Sequence, residues 1–236
     1  VQQSLPLIAP PLEGEFDLAP PVPGPWQSPE PDRIALFLQR LAEAAFPDIL
    51  PASVSAIRFL PLTFFPGWLL CDVHVRQSDP PEGKRARTHS LLYGPDGFTA
   101  LDGNAHALHM HNALHGITLL DTEAQSAYLR FFCYFVHGEM GPFEILTDST
   151  LLHLPDDTAF KIAPLTTDPE HDGDHLMCFR ATVLYADTLF SCRFGLHASG
   201  VVEMLDDTEL ASDVQRRPRI RFLGTGRFRL EEEAVT

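Results

Sequence analysis

The sequence predicts an α+β domain built mainly of antiparallel sheet, with a C-terminal meander packed against an aromatic-rich helix at about 122–137 and a further helix at about 32–46. Three observations carry this expectation. Hydrophobic residues make up 44% of the 236 and charged residues 21%, the balance of an ordinary folded domain. Two segments place apolar residues at helical spacing, and others alternate with period two. The residues between the alternating runs have the chemistry of tight hairpin turns.

Residues 1–31 hold nine of the 21 prolines, including Pro10-Pro11, Pro20-Pro21-Val22-Pro23 and Pro29-Glu30-Pro31. Proline offers no N–H to a helix or a sheet, so an extended leader is expected. Leu7, Ile8, Phe16, Leu18 and Trp26 suit a segment lying along the domain surface; the alternative is a semi-rigid linker. Residues 32–236 are then expected to form a single α+β domain. Pro20-x-x-Pro23 has the spacing of a polyproline ligand core but lacks an adjacent arginine.

Ile34, Phe37, Leu38, Leu41 and Ala45 share one helical face between Pro31-Asp32 and Pro47, which predicts the first helix. Leu69, Cys71, Val73 and Val75 then alternate with Leu70, Asp72, His74 and Arg76, the pattern of a half-buried strand. Thr88 to Tyr93 and Phe98 to Leu101 read as a hairpin turned by Gly94-Pro95-Asp96-Gly97. Asp121 or Thr122 can cap the aromatic helix, Glu123 complements its dipole, and apolar residues from Tyr128 to Val136 cover most of its circumference. Such a helix needs burial on more than one side. Gly138 ends it, and Phe143 to Leu146 form the next expected strand.

The sharpest register follows from 176–197. If Ala186-Asp187 is a two-residue loop, Val183 faces Phe190, Ala181 faces Cys192 and Phe179 faces Phe194. One face is then apolar, and the other carries Arg180, Thr182, Ser191 and Arg193. A slip of one residue would destroy that agreement. Val201 to Leu205 returns as a third meander strand. A helix on such a sheet resembles nuclear-transport-factor-2-like and cystatin-like arrangements in outline, without a shared motif, and the resemblance implies no activity.

Four cysteines lie far apart without a CxxC pair, each inside an apolar run, so buried free thiols and a reducing, cytoplasmic location are expected. The register sets Cys178 and Cys192 on opposite faces about 10 Å apart, too far for a disulfide. No apolar run approaches the roughly 20 residues of a membrane span, and the opening residues lack the pattern of a signal peptide. A formal charge of −15 repels phosphate backbones, so nucleic acid is not an expected partner.

The residues that suggest chemistry are His106, His109, His111 and His115, because neutral imidazoles recurring within ten residues can ligate zinc or another divalent metal. On a helix, however, His111 and His115 share one face while His106 and His109 share another; in an extended segment His109 and His111 would share a face instead. A site would need help from Asp102, or from His171 or His175. No HExxH, GxSxG or phosphate-loop signature accompanies them, and no cofactor is strongly implied. Cys133 stands one helical turn before His137, but its phenylalanine neighbours predict an inert thiol. The acidic runs lack the ligand alternation of a calcium loop and read as solvated surface.

Residues 216–229 hold six of the 17 basic residues, Arg216, Arg217, Arg219, Arg221, Arg227 and Arg229. They suit docking against this chain's own acidic surface or against an acidic segment of a protein partner. Taken together, these features favour a non-enzymatic protein-interaction or regulatory module. The alternatives are a metal-assisted hydrolase using the histidine cluster, and a small-ligand pocket between the aromatic helix and the sheet.

Overall fold

The computed structural model describes residues 22–28, 30–46, 49–76, 86–147, 152–153, 161–170, 173–216, 220–222 and 228–230. Helix α1 (Pro31–Ala44) begins with Pro31, whose missing N–H costs nothing in a first turn, and ends at Ala45 in the left-handed region. Strands β1 (Val54–Pro61), β2 (Leu69–Arg76), β3 (Ala86–Gly94) and β4 (Gly97–Ala100) form a four-stranded antiparallel sheet in sequence order. Helix α2 (Ala105–His115) and helix α3 (Thr122–Phe135) follow. Next come β5 (His137–Gly138), β6 (Gly141–Ile145), β7 (Leu152–His153), β8 (Thr166–Thr167), β9 (Met177–Tyr185), β10 (Thr188–Leu196) and β11 (Val202–Ala211). Short strands β12 (Gln215–Arg216), β13 (Ile220–Phe222) and β14 (Phe228–Leu230) complete the described residues. The fold is α+β with mainly antiparallel sheet. No helix among these residues is long and apolar enough to cross a membrane.

The second sheet runs β11-β10-β9-β6-β5, with β8 also paired to β9. Its register is the one expected from the alternation: Val183 faces Phe190, Ala181 faces Cys192 and Phe179 faces Phe194. The apolar face formed by these residues meets Tyr128, Leu129, Phe131, Phe132 and Phe135 of α3 in the main core. Asp121 caps α3, its carboxylate accepting from Ala124 N at 2.8 Å. The helix stops at Phe135, two residues short of 137, because Val136 turns to extended backbone and the chain enters β5. On the far face of β9 and β10, Leu184 and Leu189 join Leu146, Leu152 and Val214 in a small separate core, so that face is only partly polar.

Strand β2 differs from the half-buried expectation. Cys71, Val73 and Val75 pack under Phe37, Leu38 and Leu41 of α1, as the alternation implies. The opposite face is also buried: Leu70 enters the main core, and Asp72 and His74 are buried polar groups. The cause is an interior ion pair. Arg58 Nε donates to Asp72 Oδ2 at 2.7 Å, and Ser90 Oγ donates to Asp72 Oδ1 at 2.7 Å. The Arg58 guanidinium in turn lies 4.5 Å beneath the ring centroid of Trp26. Burying charges without such partners would be prohibitive.

Trp26 belongs to the proline-rich stretch, yet it is 1% exposed and sits with Val22 in the main core. Its indole Nε1 donates to Val22 O, and Gln27 exchanges backbone hydrogen bonds with Phe59 of β1. Residues 22–28 are therefore part of the packed body. The earlier stretch of the leader, with Leu7, Ile8, Phe16, Leu18 and the Pro10-Pro11 pair, lies outside the described residues.

Candidate functional sites on α2 and at the end of the meander

Asn104 opens α2, its side chain accepting from His106 N at 2.9 Å, and Gly116 closes the helix at φ 79°. This helical pitch divides the four expected histidines. His111 is buried, with Nδ1 2.9 Å from Thr99 Oγ1 and its ring edge-on to Phe65 and Trp68. Burial, and then neighbouring His115, lower the His111 pKa to about 4, so the ring is neutral at ordinary pH. His115 lies against Trp68, with Nδ1 3.4 Å from Asp96 Oδ2. His109 meets Phe132 around the helix, and His106 faces solvent. His111 and His115 are thus brought together, whereas His106 and His109 stand apart from them.

Apart from these imidazoles α2 has no ionisable side chain, and its outward face carries Met110 and Leu114 beside the exposed His106. Met110 is 44% exposed and Leu114, one turn later, 70%; Leu120 in the following loop reaches 87%. A solvent-facing helix surface ordinarily carries charge. Charges flank the helix along the chain instead: Asp102 precedes it, Asp96 reaches His115 at its end, and Asp121 and Glu123 follow Leu120, all exposed.

A second constellation sits where the meander strands end. His175 precedes β9, His197 follows β10, and Glu203 lies in β11 opposite Gly195. His175 Nε2 is 3.1 Å from Glu203 Oε2, while His197 Nε2 lies 3.2 Å from Oε1, out of line for a hydrogen bond. The two rings are 4.5 Å apart. The imidazoles, His175 first, hold the Glu203 carboxyl below its usual range. Gly195 makes room for this: a Cβ there would fall 2.4 Å from the His175 ring. The 197–201 turn is clamped from beneath, because Tyr128 Oη donates to Gly200 O at 2.7 Å and Asn112 Nδ2 donates to Ser199 O at 3.3 Å. Burial raises the Tyr128 pKa far enough to keep that phenol protonated.

Of these three residues the sequence pointed only to His175, and only as an auxiliary ligand; His171 lies outside the described residues. In the basic segment, Arg221 pairs with Arg229 across β13 and β14 and Arg216 lies in β12. Arg217, Arg219 and Arg227 lie outside the described residues. All four cysteines are free and buried. Burial raises the Cys71 and Cys133 thiols, and burial followed by Asp207 and Asp206 pushes Cys192 up to about 12, so none of these three is set up as a nucleophile. Compared with known protein families, curated proteins and solved structures, the chain has no match.

Proposed function

We propose that this chain is a protein-interaction module whose docking surface is the outer face of α2. One observation carries the reading: a helix with apolar residues on both faces is packed on one of them only, leaving Met110 and Leu114 exposed, as is Leu120 in the loop that follows. Contiguous exposed apolar side chains with a polar rim are the usual mark of an interaction surface. The rim formed by Asp96, Asp102, Asp121 and Glu123 selects the partner, which presents apolar side chains flanked by lysine or arginine. A second copy of this chain brings the same acidic rim and a charge of −15, so self-pairing through this face is disfavoured.

The test uses the full chain and two synthetic amphipathic helices that share a leucine stripe, one flanked by lysine and the other by glutamate. Fluorescence anisotropy should show binding of the lysine peptide, weakened by salt, and a loss of at least about tenfold for Leu114→Glu. Equal binding of both peptides, or no effect of Leu114→Glu, removes the reading. Sedimentation that shows a wild-type dimer dispersed by Leu114→Glu replaces it with self-association.

A further inference from the structure

We propose that His175, His197 and Glu203 form a binding site for a borderline divalent cation, zinc above all, at the end of the meander. The inference is independent of the α2 docking surface. Two imidazoles and one carboxylate are the ligand set of open, three-ligand zinc centres, which keep a fourth position for water or another ligand. Their ligand atoms all lie within 4.8 Å of one another, and among the described residues they form the group of three that meets this separation. Zinc bonds of 2.0–2.1 Å in a tetrahedron imply ligand-to-ligand edges of about 3.3 Å. The two imidazoles lie against the two oxygens of one carboxylate, His175 Nε2 3.1 Å from Oε2 and His197 Nε2 3.2 Å from Oε1, separations close to that length.

The surroundings hold the ligands in place. The His175 side chain is 7% exposed and rests over Gly195, so its ring has little freedom. His197 starts a turn closed by its own bonds to Val201 and Gly200, and that turn is tied to α2 and α3 through Asn112 and Tyr128. Glu203 is fixed at its backbone by pairing with Gly195, while its carboxylate, 51% exposed, leaves the site open to solvent. The buried Nε2 of His197 has no hydrogen-bond partner, although it lies beside a carboxylate oxygen. A cation placed between the rings satisfies this nitrogen and Glu203 together. In its absence the His175 Nε2–H occupies the carboxylate, so a metal at this nitrogen requires the neutral ring to carry its proton on Nδ1 instead.

The test is isothermal titration of the tag-free, chelator-washed chain with zinc chloride. The expected result is one zinc per chain. Glu203→Gln, which keeps the shape of an exposed side chain, and His197→Ala should each weaken binding by on the order of 100-fold. The combined change His106→Gln and His115→Gln should leave it unaltered. Cobalt(II) should give the intense visible bands of a tetrahedral site in the wild type and lose them in Glu203→Gln. Absence of zinc binding by the wild type overturns the inference. Equal binding by Glu203→Gln and His197→Ala, or loss on changing the α2 histidines, overturns it as well.

Discussion

Arg180 and Arg193 face each other directly across β9 and β10, and both reach one carboxylate: Asp168 Oδ2 lies 3.1 Å from Arg180 Nε and 2.6 Å from Arg193 Nε. Like charges opposed on a ladder destabilise it, so the strand pair depends on this counter-ion. Asp168→Asn is therefore expected to lower Tm by a few degrees, and adding Arg180→Thr should recover part of the loss. Thermal unfolding of the two single variants and the double variant measures the coupling. Burial alone would raise the Asp168 carboxyl; the Glu170 N–H, Arg193 and Arg180 more than offset this and hold it below its ordinary value. Its stabilising contribution is present above about pH 4, the unfolded value, and disappears as pH falls through the lower folded one.

His111 acts in a different pH window. Its folded pKa of about 4 lies below the unfolded value of about 6.5, so the unfolded chain binds more protons between them. Stability should be constant above about pH 6.5 in respect of this group and fall as the pH is lowered towards 4. Urea unfolding at pH 7 and pH 5 measures the difference. His111→Phe, which keeps the ring beside Phe65 and Trp68, should flatten that slope; an unchanged slope would assign it to other groups.

Gly67 and Gly200 have nearly the same backbone angle, φ 81° and 80°, in opposite surroundings. A Cβ at Gly67 meets nothing within 4 Å, whereas at Gly200 it lies 2.4 Å from Asn112 Nδ2 and 2.8 Å from Tyr128 Oη. Gly67→Ala should cost about 1–2 kcal/mol from the backbone alone. Gly200→Ala adds the disruption of two buried hydrogen-bonding side chains and should exceed about 3 kcal/mol. Denaturant titration of the pair separates the two effects.

At the β9–β10 turn, Ala186 adopts φ 54°, a conformation that favours glycine. Ala186→Gly should raise stability by about 0.5–1 kcal/mol, with the release of strain outweighing the added freedom of the unfolded chain. A loss of stability in chemical denaturation would show that the Ala186 methyl contributes packing.

The four buried thiols should be silent to a thiol-specific disulfide reagent in the native protein and should all react in guanidinium. Rapid modification of Cys133 in the folded state would contradict its position in the core.

The β9–β10 register was legible because two apolar stripes must coincide, and only one pairing makes them do so. That same register puts Arg180 opposite Arg193 on the polar face, but their shared counter-ion was not legible, because Asp168 follows the two-residue strand β8. Helix α2 was ambiguous because its apolar residues occur on every side. The His175–His197 contact was harder to see. Strict alternation assigns these residues to opposite faces, and it is the missing side chain of Gly195 that lets the His175 ring cross over. For β2, alternation identified the α1 face but could not reveal Arg58, a sequence-distant partner that carries Asp72 into the interior.

Trp26 ties the local opening of the 22–28 segment to that of the whole first sheet. Lifting the indole away would bring water to a buried guanidinium and, through it, to Asp72 in the adjacent strand, so the segment has no inexpensive way to detach. Amide protons in such a segment exchange only through openings that also release its neighbours. The amides of Gln27 and Phe59, paired with each other's carbonyls, should therefore show protection close to that of the central strand, although one belongs to a proline-rich stretch that looks like a tether.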